Sequence, residues 1–494
     1  MSAELPPNPD LEYLKKQAKA LLSDFRQKKP EAIAKFAALE LQAAPKLADA
    51  QHCIARDYGF ETWSKLKAHV ESVAAAGALR LAQKAFHDDD AAGLRRLLER
   101  YPALKKKINE PVAHFDSPLI THVRSSAMLD VLVDAGADIN ARSRWWAGGF
   151  GLLDSANAAL AGHAIERGAM VTVHAAARLG MIEKLKPLIE ADPRLVNARG
   201  GDGQTPLHFA STVEIAAYLL DQGADIDARD VDHESTPAQY MVSSRQEIAR
   251  YLIRRGAKTD ILMAAALGDI DLVRKHLDAD AESIRTRVSD EYFPRMSPRS
   301  GGTIYQWELG WHVSAAQVAK SFGHDEVLDL LMERSPAEEK LLNACWLHDE
   351  ALLNALLARQ PDLTASLSPA GCRQIAHAAR NNNTAAARLM LAAGLPVDVR
   401  GQHNATPLHW AAWHGNAELV ELLLRRRPPL ENNDNDFHAT PLGWAIHGSE
   451  NGWYRQTGDY GATVEALLAA GVTLPEKPAG AEAVQMVLHR HGLK

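Results

Sequence analysis

The side chains of this chain that could do chemistry are many but dispersed. Twenty-one histidines suggest metal or acid–base work, because imidazole ligates metals and titrates near neutral pH. Their spacing argues otherwise. His409 and His414 stand five apart, a poor separation for sharing one ligand on a helix face. His489 and His491 lie beside the last glycine, where cationic groups suit a helix C-terminus. Asp88-Asp89-Asp90 lacks the spacing and the glycine of a calcium loop and reads as a turn between two helices. Gly200-Gly201-Asp202-Gly203 is followed by Thr205-Pro206, so it reads as a loop tip rather than a phosphate cradle. The chain has no Gly-x-Ser-x-Gly elbow, His-Glu-x-x-His pair, Walker loop or dinucleotide fingerprint. Cys53, Cys345 and Cys372 form no Cys-x-x-Cys pair, which argues against zinc and for a reducing compartment. The expectation is no catalytic residue, no metal and no cofactor. An alternative stays open: an enzyme or small-ligand binder with His447, Glu450 and Asp459 grouped around residues 445–460.

Aromatic residues concentrate in two other places. Residues 281–312 hold Tyr292, Phe293, Tyr305, Trp307 and Trp311, and residues 448–461 hold Trp453, Tyr454 and Tyr460. Trp, Tyr and Arg anchor interfaces. The plainer reading is that these rings pack back onto the body of the protein. Trp410, Trp413, Trp444, Trp453, Tyr454 and Arg455 are the expected partner contacts.

The elements that must position these residues recur along the chain. In residues 405–424, Thr406 is placed to cap a helix and Pro407 to occupy its first position, where a missing N–H is harmless. Leu408, Ala411 and Ala412 fall on one face at helical spacing, and Gly415 can end the helix in the left-handed region. Leu419, Val420, Leu423 and Leu424 form the stripe of a second helix. Thr205-Pro206-Leu207-His208 repeats this text closely. Ser117-Pro118-Leu119, Thr236-Pro237 and Thr440-Pro441-Leu442 repeat it in part. Thr406 and Thr440 are 34 positions apart, and Thr205 and Thr236 are 31.

Thr406-Pro407-Leu408-His409 with Ala411, Ala412 and Gly415 resembles the ankyrin repeat, and both intervals are close to its period. That resemblance implies an all-α ankyrin-repeat solenoid of helix pairs with short β-turn fingers. About twelve pairs are expected from Ala78 to Leu474, each unable to cover its own apolar face. After Gly168 and Gly256, and at 337–360, helical text resumes almost at once, so units with and without fingers are expected to mix. The first pair, at 78–100, and the pair at 147–168 fit the pattern least. Residues 448–461 leave the array between the two helices of one unit. His208 and His409 are expected to tie the turn to the helix.

Residues 1–76 read as a separate helical cap module. Pro6, Pro7 and Pro9 form a stiff lead-in, Asp10 can cap a first helix, Gly59 closes a third, and Thr62 can cap a fourth. The text from Leu47 to Lys67 resembles a small helical module that precedes ankyrin arrays in many bacterial proteins. The whole layout, both insertions included, looks like a bacterial ankyrin-repeat family. That likeness implies protein interaction as the usual function and supplies no catalytic residue. The expected organisation is a cap at 1–76, an array at 77–476 and a closing helix at 477–494.

Composition agrees. Hydrophobic residues make up 46%, enough for a continuous core. The net charge of −7 argues against nucleic acid, which calls for a basic face. Arg425-Arg426-Arg427 reads as a solvated helix end. No apolar run is long enough for a membrane span, and the first residues do not read as a signal peptide. The expectation is a monomeric, cytoplasmic, non-catalytic scaffold with an unknown protein partner.

Overall fold

The structure is a computed structural model that describes residue 5 and residues 11–39, 43–113 and 115–493, except for the side chains of 74–76. The expected lead-in prolines and the Asp10 cap lie outside the described residues. By its own contacts the chain divides into two units, residues 1–209 and 210–494. Among the described residues the fold is helical, with isolated β-bridges at Ala113–Ser117, Arg142–Gly151 and Arg287–Ser314.

The first unit opens with α1 (Leu11–Arg26), α2 (Pro30–Ala37), α3 (Leu47–Asp57) and α4 (Trp63–His87). Leu14, Ala18 and Leu22 from α1 meet Phe36, Ile54, Leu66 and Val70 in a core of their own. The Thr62 hydroxyl caps α4 by accepting from Lys65 N–H. Helix α4 then runs on without a break, so the boundary expected between 76 and 77 falls inside one helix. The physical reason is local: Val73-Ala74-Ala75-Ala76-Gly77-Ala78 holds no proline, and Gly77 does not take the left-handed conformation that would end the helix. Asp90 caps α5 (Ala91–Arg100) through Gly93 N–H at 2.7 Å, which makes the Asp88–Asp90 run a turn, as expected.

Helices α6 (Ser126–Asp134), α7 (Ala158–Glu166), α8 (Val173–Arg178), α9 (Ile182–Ala191) and α10 (Pro206–Phe209) complete this unit. The weaker repeats are shortened. Ser117-Pro118 leads only into a 3-10 turn at Leu119–His122, and the pair at 147–168 begins with a 3-10 turn at Leu152–Asp154.

The second unit contains α11 (Val213–Asp221), α12 (Gln246–Arg254), α13 (Ile261–Ala266), α14 (Ile270–Ala279), α15 (Tyr305–Glu308), α16 (Ala315–Ser321), α17 (Asp325–Arg334), α18 (Ala337–Trp346), α19 (Glu350–Arg359), α20 (Pro369–Cys372), α21 (Gln374–Arg380) and α22 (Thr384–Ala392). It ends with α23 (Pro407–Trp413), α24 (Ala417–Leu424), α25 (Pro441–Asn451), α26 (Tyr460–Ala469) and α27 (Glu482–Arg490). First helices stack in one layer, α21 on α23 on α25. Second helices stack in another, α22 on α24 on α26, and α27 packs on α26 at the end. Ala411 and Ala412 are fully buried, as are Leu419, Val420 and Leu423. The alanine face lets the first helices approach, and the larger side chains fill the space between pairs.

Thr236-Pro237 departs from the repeat. It yields only a 3-10 turn at Gln239–Met241, beside which α15 of the first insertion packs. Tyr305 from that helix is fully buried and donates to Asp260 Oδ2 at 2.9 Å. Burial pushes the Tyr305 hydroxyl pKa well above its usual range and raises that of Asp260. Arg287, also from the insertion, is buried against Glu339 at 3.0 Å. Trp311 is buried too, whereas Trp307 is 62% exposed. Tyr292 and Phe293 are half-buried, so the first insertion packs two of its five aromatics fully inward and leaves one exposed.

Candidate partner-binding site

The second insertion is shorter than its sequence suggests. Its first four residues continue helix α25 to Asn451, and only residues 452–459 form a loop. Tyr460 plugs the loop onto the body of the unit. It is buried, and its hydroxyl donates to the carbonyl oxygen of Trp413 at 2.9 Å. Burial pushes the Tyr460 pKa up to about 12, which keeps that donor protonated. A Cβ on Gly458 would come within 2.3 Å of the His414 carbonyl oxygen, so the loop hugs the end of α23.

Between this loop and the preceding finger lies a pocket of about 370 Å³. Helix α23 supplies Trp410 and Trp413, and helix α25 supplies Gly443, Trp444 and His447. The finger supplies Phe437 and Ala439, the turn at Gln402–Asn404 before α23 supplies His403, and the loop closes one side with Trp453. Trp444 is the centre of the ring cluster. Trp410 meets it at 5.2 Å and 83°, Phe437 at 5.5 Å and 69°, and Trp413 at 6.1 Å and 75°. Trp453 lies nearly parallel to Trp410 at 6.0 Å. The indole Nε1 atoms of Trp410, Trp413 and Trp444 are buried and have no hydrogen-bond partner among the described residues.

His409 braces this wall. Its Nδ1 accepts from Thr406 N–H at 3.2 Å and from the Thr406 hydroxyl at 2.7 Å. The proton therefore sits on Nε2, which donates to the carbonyl oxygens of Asn432 at 2.9 Å and Ala439 at 3.2 Å. Burial holds the pKa of His409 down to about 4. Both ring nitrogens are committed to the fold. His208 bonds Thr205 in the same way, with the hydroxyl at 3.0 Å from Nδ1.

The expected contact residues separate into two groups. Trp410 and Trp444 are buried at 3% and 5% exposure, so they wall the pocket rather than project from it. Trp453 is 58% exposed and stands at the rim. Tyr454 does not line the pocket; it meets His414 edge-on at 5.0 Å. Arg455 is exposed, and its Nη1 donates to the Gly452 carbonyl at 3.4 Å rather than to Asp459. Asp459 caps α26 through Ala462 N–H, and His447 bonds Asn451 one turn on. No hydrogen bond or ion pair joins His447, Glu450 and Asp459 among the described residues; of the three, His447 lines the pocket.

Sequence reasoning passed over His403, Phe437 and Arg380. Phe437 is an aromatic 60% exposed in a polar finger, a signal that was available. The Arg380 guanidinium lies 5.0 Å from the ring centre of Trp453, 5.1 Å from Trp311 and 5.9 Å from Trp410. It donates to Gln402 at 2.9 Å and Asn381 at 3.3 Å, and burial lowers its pKa to about 10. Nothing in its local sequence marked it.

Stacked helix pairs define a helical repeat protein, which here carries an aromatic pocket between a finger and a loop. Ankyrin repeats are present: the family described as ankyrin repeats in three copies matches residues 173–263, 315–436 and 375–453. A stretch of 118 residues is 30% identical to Ankyrin repeat and SAM domain-containing protein 6 of Mus musculus, covering 23% of this chain and 13% of that protein. E3 ubiquitin-protein ligase KEG of Arabidopsis thaliana is 23% identical over 295 residues, 49% of this chain and 18% of that protein. Tyrosine-protein kinase Shark of Drosophila melanogaster is 26% identical over 248 residues, 47% and 26% respectively. The chain thus spans between 13% and 26% of the length of these relatives. Ankyrin repeats indicate a protein–protein interaction module. No helix among the described residues is long and apolar enough to cross a membrane.

Proposed function

We propose that this chain is a non-catalytic interaction scaffold whose contact surface centres on the pocket between the 431–439 finger and the 452–459 loop. The observation that carries this reading is the exposed Trp453 ring, set at the rim of a pocket whose other walls belong to packed helices. A rigid scaffold presenting such a loop binds with little ordering cost. The first three helices act as a cap on the array, and α27 closes the other end. The net charge of −7 and three unpaired thiols support a monomeric, cytoplasmic protein, and the layout resembles bacterial arrays rather than nucleic-acid binders.

The test is a photo-reactive residue placed at 453, with a control at Met170, which is 68% exposed on the first unit. Cross-linking in the native host followed by mass spectrometry should yield a discrete protein adduct from 453 and none from 170. Equal adducts from both positions, or none from 453, would remove the pocket from the interaction.

A further inference from the structure

We propose that the pocket takes a methylated ammonium group, the side chain of a trimethylated or dimethylated lysine on the partner protein. This inference rests on the interaction reading above and names the chemistry of the residue recognised.

The first support is ring geometry. Trp413 and Phe437 stand at 75° and 69° to Trp444, so the rings enclose space instead of stacking flat. Aromatic faces carry negative quadrupole density, which attracts a cation within about 6 Å of the ring centre.

The second is charge. Neither Lys nor Arg lines the pocket. Residues 428–454, which supply Phe437, Trp444, His447 and Trp453, include Glu431, Asp434, Asp436 and Glu450 and no Lys or Arg. Glu431 accepts from Thr473 N–H, and Asp434 pairs with Arg400 at 3.2 Å. Asp436 sits 3.1 Å from Nδ1 of the pocket residue His403, and Glu450 is exposed one turn beyond His447. Among the described residues neither of these two carboxylates pairs with a Lys or Arg, so they supply negative charge on the segments that line the pocket.

The third is that the protein already holds a cation on this ring cluster. Arg380 lies against Trp410 and Trp453 with no carboxylate partner among the described residues. Its charge opposes a second cation beside those two rings. The ammonium is therefore placed at the Trp413, Trp444 and Phe437 side.

Methylation follows from the lining, which is mostly aromatic and holds no carboxylate. A bare lysine ammonium is strongly hydrated and needs acceptors to replace its water. The unpartnered polar atoms of the pocket's tryptophans are donors. Methyl groups spread the charge over apolar surface and lower the cost of drying it. A cavity of about 370 Å³ has room for the headgroup and the four-carbon stem behind it, which favours a lysine over a free ammonium ion.

The full chain is titrated calorimetrically with four probes: a capped Ala-trimethyllysine-Ala peptide, the same peptide with unmodified lysine, its neutral analogue with a tert-butyl group replacing trimethylammonium, and choline. The trimethyllysine peptide should bind at least tenfold more tightly than each of the others. Trp444→Leu should abolish binding. Because that variant disturbs a buried ring, Asp436→Asn with Glu450→Gln provides a surface test and should weaken binding several-fold, with melting unchanged. Equal binding of the neutral analogue would make the pocket simply apolar, and equal binding of choline would reject the protein source. If no probe binds while the cross-link from 453 persists, the ammonium assignment falls and the interaction reading stands. If the cross-link is also missing, both fall.

Discussion

Gly448 lies so close to the Trp413 carbonyl oxygen that a Cβ on it would come within 2.4 Å of that atom. Helices α23 and α25 can meet there only because residue 448 has no side chain. The same contact places Trp413 beside Trp444 and so sets the width of the pocket.

Gly448→Ala should therefore destabilise the protein by about 1–3 kcal/mol, the usual cost of forcing volume into a packed contact. Urea unfolding measures it, and hydrogen exchange should show the loss in α23 and α25. An unchanged midpoint would mean the helices separate freely.

Leu423 is fully buried in the second-helix layer. Leu423→Ala should cost about 2–5 kcal/mol. In a stack of repeats that loss stays with neighbouring units. Exchange protection should fall from α21 to α26 and hold in α1 to α3. A uniform loss from residue 80 to residue 480 would contradict an array.

Trp453 and Arg455 are exposed on the loop. Trp453→Ala with Arg455→Ala should leave helix content and melting nearly unchanged. Capture of the partner identified by cross-linking should weaken at least tenfold, about 1.4 kcal/mol. Early melting of the double variant would instead assign these side chains to packing.

His409 and His414 are buried, and burial lowers both pKa values to about 4 from 6.5. Between these values the unfolded chain binds more protons than the folded one. Stability is therefore complete above pH 6.5 and falls as pH drops toward 4, by about 1.4 kcal/mol per pH unit for each group. Denaturant midpoints from pH 7.5 to 4.5 should show at least this slope, and His414→Gln should reduce it by one group's share, since His409 and the buried His174, His312 and His377, also lowered by burial, remain. An unchanged slope in that variant would assign the acid sensitivity elsewhere.

Helix α4 spans residues 63–87. A chain begun at Ala76 should lose the first half of this helix and unravel into α5. One begun at Glu61 should retain the helix while exposing Leu66 and Val70, which are buried against α1 and α3. Circular dichroism and light scattering distinguish the two: the first loses helix content, and the second aggregates with its helix content retained.

Local chemistry carried the repeat from sequence to structure. Thr406 caps, Pro407 starts, His409 closes the turn and Gly415 ends the helix within a dozen residues, and each acts on neighbours three or four positions away. That is why the repeat frame, the structural duty of His208 and His409, and the Asp88–Asp90 turn could be read from the chain alone. Burial across the stack could not. Trp410 and Trp453 are tryptophans of neighbouring repeats that meet at one pocket, yet one is 3% and the other 58% exposed. Their difference depends on which finger, loop and neighbouring helix cover them. Tertiary structure alone brought Phe437 and His403 to the pocket, set Arg380 behind its rings, and gave His447 and Asp459 different partners. Hydrophobic periodicity shows which residues turn inward. Only the packing of distant segments decides which of them meet and how much space remains between them.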